Sequence, residues 1–319
     1  MANPVPSYLK GALFGLSAAL IWAGWSVATR FAVTTELSVL DEPLLRFGVP
    51  AALLLPLVIR RGLALDRLGW SGLAILVVGG GAPYALLAGA GLKFAPAHDQ
   101  AALNPGMIPL LVALFAMFVL GEKPVRLKAL GLSLVLAGAV TIVTFTGAVD
   151  GAEAGGGWDT SRGFGQALCF AAAFLWAGFT IVLRRSEIDP LHAVALVSVG
   201  SMAFYAPIFA IAGGSNILEV PVAALLPQIF YQGVMVTLVS VVLYGKAVAA
   251  LGAAGGAAFG ALVPVLTALL AVPFLGEWPS LGGWAAIALV STGVYLASGV
   301  WKGALDPSPD HARRGGAPS

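Results

Sequence analysis

Two matching segments, WAGWSVATR at 22–30 and WAGFTIVLR at 176–184, carry the side chains best suited to chemistry in this 319-residue chain. In the first, Trp22, Trp25, Ser26 and Thr29 recur at i, i+3, i+4 and i+7, which on a helix places them on one face. Their counterparts in the second are Trp176, Phe179, Thr180 and Leu183. Such a stripe holds a partly apolar small molecule by burying it against rings, while a few hydroxyls orient it. The competing use of these rings is helix packing or anchoring at the lipid interface, the role expected of Trp70, Trp158, Trp278 and Trp301 at the ends of apolar runs. Trp22 and Trp176 fall in mid-run instead.

A second polar set lies in APAHDQAALNPGMIP at 95–109. Gln100 and Asn104 are four residues apart, as ligand contacts or as hydrogen-bonding glue between helices. Pro105 and Pro109 remove amide donors and bend the helix, and carbonyls freed at membrane depth must meet protein or a wet cavity. Tyr84, after the GGG at 79–81, and Phe259, in the glycine-rich stretch 252–264, complete the substrate-binding set. In that stretch Gly252, Gly256 and Gly260 form a small-residue strip for close helix approach. Asp99 beside His98 either takes up and releases protons or caps a helix start. Arg46 either pairs with Glu42 one turn away or holds a substrate carboxylate.

Catalysis has less support. GWSG at 69–72 matches the GxSG of intramembrane serine proteases, which need a histidine from another span. His98 is expected at the opposite face, His192 has no motif around it, and four-residue matches arise easily in a glycine-rich chain. The single cysteine, Cys169, excludes an intrachain disulfide or a cysteine metal site. The expectation is no enzyme, no cofactor, no metal and no nucleic-acid partner. A passive channel, the other rival, wants a ring of carbonyls or charges that paired halves do not naturally supply.

The elements that position these residues are membrane spans. Hydrophobic residues make up 59% of the chain and charged ones 10%, against about 25% in soluble domains. Ten apolar runs are each long enough to cross a bilayer as a helix. With the N-terminus in the cytoplasm, 13 of the 17 Lys and Arg fall on the inner side, leaving Lys93 and Arg162 in outer loops and Arg30 and Arg46 near outer span ends, so both termini are expected inside. The expected layout is a five-helix repeat over 1–149, an external linker over 150–162, a second repeat over 163–301 and a cytoplasmic tail over 302–319.

LGEKP at 120–124 returns as LGEWP at 275–279, an offset of 155 residues that also aligns IPLLVALFAMFV with VPVLTALLAVPF. A repeat of five spans must enter the membrane the second time from the opposite face, which predicts an all-α membrane protein of ten transmembrane helices in two inverted five-helix repeats. Gly121 and Gly276 suit helix C-caps, Pro124 and Pro279 the first turn of the next helix, and Glu122 and Glu277 read as punctuation between them.

The paired halves, the WAG in the first span of each and the P-x10-LGE-x-P ending from Pro109 and Pro264 make the chain resemble the EamA type of the drug/metabolite transporter superfamily, from Tyr8 to Trp301. Within it the chain is most similar to bacterial aromatic amino-acid exporters. The resemblance implies a multi-pass transporter of the bacterial inner membrane whose central cavity is lined by the first, third and fourth spans of each half. It also implies that the small-molecule substrates are aromatic or other neutral amino acids. The scarcity of buried Lys and Arg independently disfavours phosphorylated substrates.

Overall fold

The computed structural model describes residues 4–121, 125–146 and 159–300. Among these every regular element is helical. Seven spans are α1 (Pro4–Thr35), α2 (Glu42–Arg61), α3 (Leu65–Phe94), α4 (Ala97–Val119), α5 (Arg126–Phe145), α6 (Thr160–Ser186) and α7 (Pro190–Ala212). A continuous helical stretch, Val222–Leu275, then runs for 54 residues. At 1.5 Å per residue it would measure about 81 Å, far more than the roughly 30 Å of a hydrocarbon core. Gly252 divides it: its φ of 80° and ψ of 166° reverse the chain, giving α8 over 222–251 and α9 over 253–275. With α10 (Leu281–Ser298) the described residues make ten crossings.

We call the face where α1 begins the near face and the opposite one the far face. Contacts between loops follow this alternation. Near the far face, Asn216 before α8 accepts from the Ser38 amide and donates to the Glu36 carbonyl. At the near face His192 of α7 lies 3.0 Å from the Gly62 carbonyl after α2, and Arg61 pairs with Asp189.

The halves are interlocked. Helix α1 packs on α8 and α9, and α6 packs reciprocally on α3 and α4; α2 lies on α7 and α5 on α10. The α5–α10 crossing exchanges its partners at the sequence offset. A Cβ on Gly293 would stand 2.6 Å from the Gly131 carbonyl oxygen, and one on Gly138 would stand 2.8 Å from that of Ala286. Adding 155 to 131 and 138 gives 286 and 293, so each contact is the other's image.

Helix breaks obey the same offset. Helix α3 is interrupted at Gly81, ahead of Pro83, and the Ala82 amide released there donates to Ser201 Oγ of α7 at 3.0 Å. The matching region of α8, Ile229–Val239, is wound as a π-helix. Helix α4 breaks at Asn104, before Pro105, and the Gly106 amide reaches back to the Ala101 carbonyl. The matching residues of α9, Phe259–Leu262, form one 3-10 turn. The turn glycines agree also: Gly121 has φ 67° and ψ 16°, Gly276 φ 69° and ψ 14°, both capping helices in the left-handed region.

Several expectations are corrected. Arg162 is not in a loop: α6 begins at Thr160, inside the expected linker, because Asp159 caps it by accepting from the Arg162 amide. Pro279 precedes α10, whose N-cap is Ser280. The strip at Gly252, Gly256 and Gly260 is not one helix face, since Gly252 is the α8–α9 break. Glu122, Lys123, Pro124, Trp158, Trp301 and the tail lie outside the described residues, as do 147–158 of the linker. Trp70 and Trp278 are exposed near opposite faces, as interfacial rings should be.

Candidate functional site

Where α1, α3, α6 and α8 meet, four predicted rings form a row. Trp25 stacks on Tyr84 with centroids 6.2 Å apart, Tyr84 meets Trp176 at 4.8 Å, and Trp176 meets Phe179 at 4.9 Å. Trp25 lies ten residues from the end of α1, Tyr84 ten from the end of α3, and Gln232 ten from the start of α8, each about 15 Å below the far-face helix ends. The row therefore sits near mid-bilayer. Close approach of α3 to α6 depends on Gly79 and Gly80, where a Cβ would press on Phe179 at 2.9 Å.

Polar groups flank the row. Trp25 donates its indole N–H to Gln232 Oε1 at 3.1 Å. Ser26 donates to Gln100 Oε1 at 2.7 Å, and Asn104 Nδ2 donates to the Tyr84 hydroxyl at 3.3 Å. Gln100 Nε2 and Asn104 Oδ1 are buried without a partner, although the other end of each amide is engaged, Gln100 by Ser26 and Asn104 by Tyr84 of the row. The amides thus retain hydrogen-bonding capacity beyond what the helices use.

Not every predicted residue joins this group. Trp22 turns to α8, donating to Ser240 Oγ at 3.0 Å and contacting Tyr244 at 5.2 Å between centroids. Phe259 packs against Gly15 of α1 and, like Trp22, on the cluster of Ala19, Ala23 and Val263, outside the row. The Thr180 hydroxyl is engaged by its own helix at the Trp176 carbonyl. Asp99 and His98 lie in a separate far-face cluster, where Asp99 accepts from Arg162 Nε at 2.7 Å and Nη2 at 2.9 Å and from Gln166 Nε2 at 2.8 Å; His98 Nε2 is 3.3 Å from Asp99. Ser240 was missed from sequence, and its only signal is a hydroxyl within an apolar run.

Glu277, read as punctuation, joins the halves instead. Oε1 accepts from Arg30 Nε, and Oε2 accepts the Ala97 amide at the start of α4, both at 2.8 Å. Ser71 is exposed, and no hydrogen bond among the described residues joins it to a histidine. A groove of about 650 Å³ lies apart from the ring row, between α4, α5 and α6, with an almost wholly apolar lining that includes Leu136, Val140 and Phe170. It suits an acyl chain more than a polar solute.

Ten apolar helices in two interlocked, offset-related halves, with broken helices meeting around mid-depth rings, define a multi-pass membrane transporter of small molecules. The chain matches the EamA-like transporter family over residues 9–144 and again over 163–299, and it belongs to that family. No curated protein matches it by sequence. A crystal structure of a protein described without an activity shares its fold, at TM-score 0.61 and 23% identity, over 93% of this chain and 99% of that one.

Proposed function

We propose that this transporter is a secondary exporter of small amphipathic metabolites, aromatic or other neutral amino acids above all, working by alternating access at the ring row. It resembles the family's aromatic amino-acid exporters in this respect. The two repeats, the first within 1–149 and the second from the start of α6 at Thr160, are inverted relative to one another because each holds an odd number of crossings. The near face is the cytoplasmic face of the bacterial inner membrane, since Arg60, Arg61, Arg67, Arg126, Lys128, Arg184 and Arg185 cluster at that end.

The observation that carries this reading is the row from Trp25 to Phe179, formed jointly by helices of both halves and bordered by unpartnered amide atoms. Rings with few polar groups select a flat apolar side chain. Repeat-related breaks in α3, α4, α8 and α9 supply hinge points about which one set of helices rocks against the other. Asp99, the proton-coupling candidate, would first have to part from Arg162, so its coupling role requires the far-face cluster to open.

Counterflow tests the reading. Proteoliposomes preloaded with unlabelled tryptophan should accumulate labelled tryptophan well above protein-free vesicles, and Trp176→Ala should abolish the excess. No excess in the wild type would refute it.

A further inference from the structure

A buried charge pair stands beside the ring row. Arg46 of α2 is 7% exposed and Glu42, one turn earlier, 2%. The Arg46 guanidinium carbon lies 4.6 Å from the Trp25 ring centroid and 5.5 Å from those of Tyr84 and Phe47. Ring faces thus hold the cation without using its N–H donors. Glu42 Oε1 and Arg46 Nη1 are 3.9 Å apart, too far for a hydrogen bond. Arg46 Nε and Nη1 and both Glu42 carboxylate oxygens are buried without a hydrogen-bond partner of good geometry; the Trp25 indole N–H beside Glu42 is donated to Gln232 Oε1 at 3.1 Å.

The same molecule shows what a self-sufficient buried pair looks like. Asp99 and Arg162 meet through two bonds of 2.7 and 2.9 Å, and Gln166 takes a further share of the carboxylate. Burying charge is costly unless hydrogen bonds compensate it, and the Arg162 pair meets that condition where the Arg46 pair does not. Arg46 keeps planar donors of the geometry that binds a carboxylate, and Glu42 keeps acceptors for an ammonium.

We propose that Arg46 and Glu42 together bind the head of a zwitterionic α-amino acid, Arg46 taking its carboxylate and Glu42 its ammonium, while the side chain lies along Tyr84 and Trp176. This rests on the amino-acid reading above and deepens it. A solute with one head charge leaves one member of the pair unanswered in a dry site, so both charges on one carbon are the recognised feature. Substrates then include free α-amino acids and exclude amines and carboxylic acids with the same ring.

The test uses three probes with one aromatic ring: phenylalanine, phenethylamine, which lacks the carboxylate, and 3-phenylpropionate, which lacks the ammonium. Each competes with labelled tryptophan in counterflow by the full-length protein. The wild type should prefer phenylalanine to either analogue by about tenfold or more, the scale of a charge-assisted bond. Arg46→Gln should erase the preference over phenethylamine and keep that over 3-phenylpropionate; Glu42→Gln should do the reverse. A purely packing role would weaken all three probes together. Should a single variant fail to fold, Glu42→Gln/Arg46→Gln, which leaves no lone charge, must lose both preferences. Wild-type protein that takes the three probes alike, or variants that retain its preferences, overturn the inference alone. If labelled tryptophan is not transported at all, the amino-acid reading falls, and this inference with it.

Discussion

Glu277 and Arg30 bind one another across the two halves: Oε1 accepts from Nε at 2.8 Å while the same carboxylate receives the Ala97 amide. One side chain from the LGEWP turn therefore fastens the end of α9 to α1 and to the start of α4. Arg30 further donates to the Leu92 and Lys93 carbonyls at the end of α3. These ties and the Asp99–Arg162 cluster close the far-face half of the interior, where Thr29, Gln100 and Asn104 are fully buried. Toward the near face, Trp22, Trp176, Phe179 and Phe259 are only half-buried.

Glu277→Gln keeps the shape of the side chain but weakens both charge-assisted bonds. Thermal unfolding in detergent should show a loss on the order of 1–3 kcal/mol. An unchanged transition would mean that the contact does not hold the halves together.

The Asp99–Arg162 pair predicts non-additive mutants. Asp99→Asn leaves Arg162 buried with a weaker partner, and a lone buried charge costs about 3–5 kcal/mol. Asp99→Asn/Arg162→Gln removes both charges and should recover much of that loss in the same unfolding experiment. Flux driven by a pH gradient separates the two roles of Asp99: a structural lock leaves the response intact in the double variant, whereas a proton carrier loses it.

The α5–α10 crossing predicts a matched pair of defects. Gly293→Ala and Gly138→Ala each push a methyl group toward a backbone carbonyl at the image-related contact, and overpacking costs about 1–3 kcal/mol. The two should destabilise similarly. Gly48→Ala, with no atom within 4 Å of the new methyl, should be neutral or slightly stabilising.

Ring spacing made one side of the candidate site legible from sequence. Trp25, Tyr84, Trp176 and Phe179 meet because their positions along apolar runs set both face and depth, and Pro105 marked the break at Asn104, whereas the matching turn at Phe259 has no proline and reads as part of a small-residue strip. Partners were harder to read. Trp25 finds Gln232 and Trp22 finds Ser240 across more than 200 residues, and periodicity says which way a side chain points without saying what it meets. The charged residues were read least well. Arg162 looked like loop because polar residues surround it, yet capping by Asp159 draws it into α6 and onto Asp99. Glu277 looked local because its motif explains the turn, while its bonds reach another half of the chain.

Exchange of access around the ring row is the central claim, and cysteine accessibility measures it directly. The one native cysteine, Cys169, is buried and can be replaced by alanine to give a silent background. In that background a membrane-impermeant maleimide should modify Thr180→Cys from the near face and spare Thr29→Cys from the far face. Adding Glu277→Gln, in protein that still transports, should expose Thr29→Cys to the far side and protect Thr180→Cys. If the two positions react together, or if neither changes when the Arg30 contact is weakened, the halves do not alternate about this row.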